Sequence, residues 1–112
     1  MTKKELTEIL KLHEMWLNEE EGGAQAKFED LDLRGLDFRG ANLIKADFKD
    51  ADCSGVDFTG ANLTGADFAG ANLKWANFYK ANLTGARFNG AIIDCADFRW
   101  ARGIVDLTGE KA

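Results

Sequence analysis

Ala61-Asn62-Leu63-Thr64-Gly65-Ala66-Asp67-Phe68-Ala69-Gly70 is two copies of one five-residue pattern, which runs without insertion or deletion from Ala26 to Trp100. A large apolar residue stands at the centre of each block. The centres are Phe28, Leu33, Phe38, Leu43, Phe48, Cys53, Phe58, Leu63, Phe68, Leu73, Phe78, Leu83, Phe88, Ile93 and Phe98, so all eight phenylalanines of the protein are centres. Two positions earlier stands Ala, except at Leu31, Leu36 and Val56, and Asp or Asn usually lies between. A period of five suits neither a helix of about 3.6 residues per turn nor a strand alternating every two. Within a block the small residue and the centre point the same way on a short extended segment, and the other residues turn a corner. Gly often closes the block, as at Gly55 and Gly60, where it adopts dihedrals that a side chain resists.

The chain therefore reads as a coil of short sides, each turning two residues inward, which is the logic of a solenoid. Phe alternates with Leu, Cys or Ile every ten residues, so stacking like on like needs an even number of sides. Two sides leave no interior and six leave a hollow one; four sides make a turn of twenty residues. Phe28, Phe48, Phe68 and Phe88 then form one column and Phe38, Phe58, Phe78 and Phe98 the opposite one.

The A-(D/N)-(L/F)-x-x blocks from Ala26 to Trp100 resemble those of the pentapeptide-repeat family. The resemblance implies an all-β solenoid: a right-handed quadrilateral parallel β-helix, here with an N-terminal capping α-helix. At roughly 4.8 Å between stacked strands the repeat body would be only about 18 Å tall. The expected divisions are residues 1–25 for the helix and linker, 26–102 for about four turns of repeat, and 103–112 for a tail.

A single domain fits 112 residues. Residues 1–25 hold six acids and three bases, and residues 26–102 eleven acids and ten bases, so the net charge of −5 lies mostly outside the repeat body. Neither an apolar run of membrane-spanning length nor the plan of a signal peptide is visible, so a cytoplasmic protein without membrane or direct nucleic-acid contact is expected. Cys53 should face inward and Cys95 outward, on one side but two turns apart, beyond the reach of a disulfide.

Thr2-Lys3-Lys4-Glu5 fits a capping box. Leu6, Ile9, Leu10, His13, Trp16 and Leu17 then form one apolar stripe, so a helix is expected at about residues 3–19, stopped by Gly22-Gly23. Such a helix would cover the first turn, with Trp16 and Leu17 packing on Leu31 and Leu36. His13, the single histidine, reads as a packed residue with one ring nitrogen bonded, because no nucleophile can be argued beside it.

Asp37, Asp57, Asn77 and Asp97 share one side, and Asn42, Asn62 and Asn82 another. Stacked asparagines can bond along their column, whereas stacked aspartates need backbone N–H partners at the corners. No metal, cofactor or catalytic role is expected of them. At the corners where Gly gives way to something large, Trp75, Lys80, Cys95 and Trp100 cluster on one edge, with Arg99 one turn above Tyr79 as an Arg–Tyr stack. Trp75, Tyr79, Lys80, Arg99 and Trp100 are thus the candidate protein-binding edge. After Arg102 the repeat fails, and Ile104, Val105 and Leu107 are expected to fold back as a cap or to meet a second copy in a dimer.

The residues favour a non-enzymatic binding module or scaffold for an unknown protein partner, since a nucleophile, base and oxyanion donors are not found together. The resemblance implies an alternative, because some pentapeptide-repeat proteins imitate DNA and bind DNA gyrase, a topoisomerase, conferring quinolone resistance. Asp37, Asp57 and Asp97 are the carboxylates that would carry such mimicry. The short, nearly neutral, uninterrupted body departs from that group.

Overall fold

The computed structural model describes residues 1–103. The expected cap or dimer contact at Ile104, Val105 and Leu107 lies outside them. Extended structure among the described residues occurs as isolated parallel bridges, each joining residue i to i+20: Lys27 to Asp47, Asp32 to Asp52, Asp37 to Asp57, Asn42 to Asn62, and onward to Asn82 with Arg102. Four bridges per twenty-residue turn make a four-sided coil. Continuous strands do not form among the described residues, because each side is short before the next corner.

The bonds repeat with the sequence. The Phe28 N–H donates to Asp47 C=O one turn up (2.7 Å), and the Asp47 N–H donates back to Ala26 C=O (3.0 Å). Every corner closes with an N–H three residues beyond a centre, such as Val56 N–H to Cys53 C=O at 3.0 Å. The residue before that donor has positive φ, as at Gly55 (φ 70) and Gly60 (φ 69), which is the signature of a type II turn.

The interior is the two Phe columns with Leu and Cys between them. Within a column the rings stack, as Phe58 on Phe78 does (5.0 Å between centroids, 4° between planes); across the interior the columns meet edge-on, as Phe58 and Phe68 do (5.6 Å, 83°). Both arrangements suit the ring quadrupole. Burial fades at the C-terminal end, where Ile93 and Phe98 are only partly covered. Cys53 is buried, which pushes its thiol up to about 12, and Cys95 is exposed; both are free.

The other end is covered by helix α1, Lys3–Leu17. Its capping box is as the sequence predicts: Glu5 N–H donates to Thr2 Oγ1 (3.0 Å) and Thr2 N–H to Glu5 Oε1 (2.7 Å). Its C-terminal stop differs. The helix ends before the glycines, at cap residue Asn18, with Glu19 in the left-handed region (φ 57). The packing differs too. The line that faces the coil runs through Leu6 and His13, seven residues apart, flanked by Ile9 and Leu10. Trp16 therefore lies off that line and stacks on His13 (5.5 Å), and while Leu36 packs against the core, Leu31 stays 40% exposed.

Gly23 serves a different purpose from a helix stop. A Cβ there would lie on the backbone N of Trp16 and 2.7 Å from Met15 C, so the linker passes too close to α1 for any side chain. Gly23→Ala should destabilise the protein by about 1–3 kcal/mol through overpacking against backbone. A chemical melt that matches the wild type would refute this close approach.

Candidate functional site

Each side of the coil turns inward with its centre and the small residue two before it, and turns outward with the residues beside the centre. The Asp or Asn before the centre is an outward position, and its oxygen is committed locally. Asp57 Oδ1 accepts from Thr59 N–H (2.9 Å), Asn77 Oδ1 from Tyr79 N–H (2.9 Å) and Asn62 Oδ1 from Thr64 N–H (3.2 Å). The expected corner bonding of the aspartates is therefore present, and Asn42, Asn62 and Asn82 likewise accept from the amide two residues ahead in their own turns. The asparagine oxygens thus serve their own corners, as the aspartate oxygens do. A group of His, Cys, Asp and Glu able to hold a metal ion is absent among the described residues.

Where Arg sits two residues after Asp, the pair forms a fork. Arg39 Nε and Nη2 donate to Asp37 (2.9 and 2.8 Å), and Arg99 Nε and Nη2 to Asp97 (3.0 and 2.8 Å). These bonds hold the Asp37 carboxyl at about 2 and lower that of Asp97. Asp37 is exposed and Asp97 partly buried, both are ionised, and each carries its own counter-charge. Of the three carboxylates proposed for DNA mimicry, Asp57 alone lacks an arginine two residues on. Sequence reasoning placed these aspartates correctly on one side but missed their neutralisation; the D-x-R spacing was the available signal.

The same side changes character in the last two turns. Below, its corners are Gly35 and Gly55 on one flank and Gly40 and Gly60 on the other; above, the corresponding residues are Trp75 and Cys95, then Lys80 and Trp100. All four replacements keep the left-handed backbone, with φ of 62, 61, 59 and 61. Trp75 is 69% and Trp100 76% exposed. They stand on the two adjacent corners that flank this side, since block ends 75 and 95 form one column and 80 and 100 the next. Between them lie Tyr79 and Arg99. The Arg99 guanidinium is 5.7 Å and Lys80 Nζ 5.4 Å from the Tyr79 ring centroid, so the predicted Arg–Tyr stack is present and a lysine joins it.

The profile of pentapeptide repeats matches in eight copies, at residues 24–56, 46–85 and 71–102. No curated protein sequence matches significantly. A pentapeptide repeat protein of the Arabidopsis thaliana thylakoid lumen is similar at 38% identity and a TM-score of 0.65, over 67% of this chain and 52% of that one. A pentapeptide repeat protein from Nostoc is similar at 27% identity and a TM-score of 0.69, over 82% of this chain and 72% of that one. A plasmid-mediated fluoroquinolone resistance protein matches at 29% identity, covering 77% of this chain and 44% of that one; at its TM-score of 0.43 the likeness says nothing of function here.

Proposed function

Because this chain belongs to the pentapeptide-repeat family, we propose that it is a non-enzymatic binding module. Its coil, right-handed as the family resemblance implies, would hold the side between Trp75 and Trp100 ready for a protein partner. The observation that carries this reading is the pair of tryptophans at corners where the backbone favours glycine. A bulky residue in the left-handed region costs on the order of 1–3 kcal/mol, and the turns below keep Gly at the same places. Two indoles held rigidly in water at that cost make poor stabilising elements but good contact residues.

Trp75→Gly and Trp100→Gly together put back the residue of the lower turns. The double variant should be at least as stable as the wild type in chemical denaturation, while a partner retained by the immobilised wild-type protein should be lost. With that partner identified and purified, the loss of affinity should reach about tenfold or more. A partner bound equally well by the double variant would end this reading.

The gyrase alternative has its own test. Asp37 and Asp97 are each forked by an arginine, and a backbone of neutralised carboxylates is a weak image of phosphates, so purified protein is expected to leave gyrase supercoiling uninhibited at micromolar concentration. Inhibition that disappears on replacing Asp37, Asp57 and Asp97 by Asn would reverse the order of the two readings.

A further inference from the structure

The charge of the repeat body is balanced in sum and polarised in space. Residues 26–73 carry nine acids and five bases, whereas residues 74–102 carry two acids and five bases. Residues 1–25 add six acids and three bases at the acidic end. The molecule thus has acidic lower turns, an acidic linker at Glu19, Glu20 and Glu21 beside a charge-balanced α1, and a basic upper end. A dipole of this kind orients charged partners at long range even when net charge is small.

In the lower turns Arg34 pairs with Asp32 and Asp52, Arg39 with Asp37 and Lys49 with Asp47, while Lys27 and Lys45 have no ion pair among the described residues. In the upper turns Arg99 is held by Asp97 and Arg87 by Asp67, but Lys74, Lys80 and Arg102 have no ion pair among the described residues. Lys74 adjoins Trp75, Lys80 lies beneath Trp100 one turn up, and Arg102 follows Trp100 by two residues. Each exposed indole is accordingly accompanied by a cation without an ion pair among the described residues, Lys80 lying over the Tyr79 ring.

We propose that this surface docks an acidic protein segment in which carboxylates alternate with apolar side chains, the carboxylates meeting Lys74, Lys80 and Arg102 and the apolar groups lying on Trp75, Trp100 and Tyr79. The inference rests on the binding-module reading above and adds the chemistry of the partner. A nucleic acid fits less well. A polyanion with one charge per about 1.7 Å of duplex would extend past a three-cation patch and meet the acidic lower turns, whereas a short acidic segment ends before it reaches them.

The test uses the full chain and a fluorescently labelled peptide in which Glu alternates with Phe, read by anisotropy, beside a Gln-for-Glu peptide and a labelled oligo-dT. The Glu peptide should bind in a salt-sensitive manner, and Lys80→Glu with Arg102→Glu should weaken it by about tenfold or more. Lys27→Glu with Lys49→Glu, an equal change of net charge on another side, should leave binding within about twofold. The Gln peptide binding as tightly as the Glu peptide would overturn the acidic preference while sparing the tryptophan surface. Oligo-dT binding more tightly than the peptide would overturn it in favour of nucleic acid. No binding of the Glu peptide, or equal loss in both charge-reversal variants, would also overturn it; the tryptophan surface then stands or falls on its own variant, Trp75→Gly with Trp100→Gly.

Discussion

Phe58→Ala is expected to lower the free energy of unfolding by about 3–5 kcal/mol, enough to consume much of the stability of a small domain. Phe58 is fully buried and touches four rings. It stacks on Phe38 (5.2 Å) and Phe78 (5.0 Å) and meets Phe48 and Phe68 edge-on at 5.6 Å each. The cavity left by Ala cannot collapse easily, because Phe58 N–H to Asn77 C=O (2.7 Å) and Asn77 N–H to Val56 C=O (2.9 Å) hold the backbone at its spacing. Phe98→Ala is the informative comparison. Its ring stacks on Phe78 alone (5.0 Å), meets Phe88 at 6.2 Å and is only partly buried, so it should cost half as much or less. In a coil whose turns touch only their neighbours, stability is close to a sum of such local terms. Urea midpoints at unchanged slope would measure both; equal losses would show that the last turn is covered as tightly as the middle.

The second large effect is expected at His13, through which α1 is fastened to the coil. The imidazole is fully buried, and both ring nitrogens are used: Nε2 lies 2.7 Å from Ile44 C=O, and Ala26 N–H donates to Nδ1 at 2.9 Å. A carbonyl only accepts, so Nε2 carries the proton and the ring is neutral. The sequence suggested a single bonded nitrogen; the second bond forms because the linker folds Ala26 back beneath the helix. His13→Leu would strand two buried backbone groups at about 1–3 kcal/mol each, loosening α1 and raising hydrogen exchange at the Ala26 amide. Burial is the main cause that lowers the histidine pKa, with the Ile44 bond opposing it in part. The unfolded chain therefore takes up a proton near pH 6.5 that the folded one resists. Stability is fully present above that pH and falls as the pH drops below it, by at most about 1.4 kcal/mol per pH unit. The carboxyls of Asp32 and Asp37, held at about 2, withdraw their contribution only below about pH 4, so the two effects separate. A wild-type stability that is flat between pH 7 and 5, or a slope that survives in His13→Leu, would refute the role of this residue.

Much of this architecture was legible before any coordinates. The five-residue period, the four sides and the two Phe columns followed from spacing alone, because a repeat without insertions leaves one way to bury a centre every five residues. The capping box at Thr2 and Glu5 was equally readable, since its bonds span only three residues. The inward Cys53 and outward Cys95 followed from phase. The candidate surface was legible in its members, Trp75, Tyr79, Lys80, Arg99 and Trp100, because large residues stood where Gly was the rule. Its layout across two corners followed from the same numbering, since block ends 75 and 95 stack in one column and 80 and 100 in the next.

What the amino-acid sequence by itself determined was thus everything that a local, repeated rule can encode: the turn length, the phase of inward and outward residues, and the membership of each column. The tertiary structure alone decided how unlike pieces meet. It set the line of α1 that touches the coil, leaving Leu31 exposed and Trp16 stacked on His13; it closed both bonds of His13; and it brought Gly23 against the backbone of Trp16. It also left Lys74, Lys80 and Arg102 without ion pairs among the described residues, whereas the forks at Asp37 and Asp97 follow from their D-x-R spacing. The physical reason is range. Repeat geometry is fixed by contacts between residues five and twenty apart in register, whereas caps and surface pairings depend on distances that no period specifies.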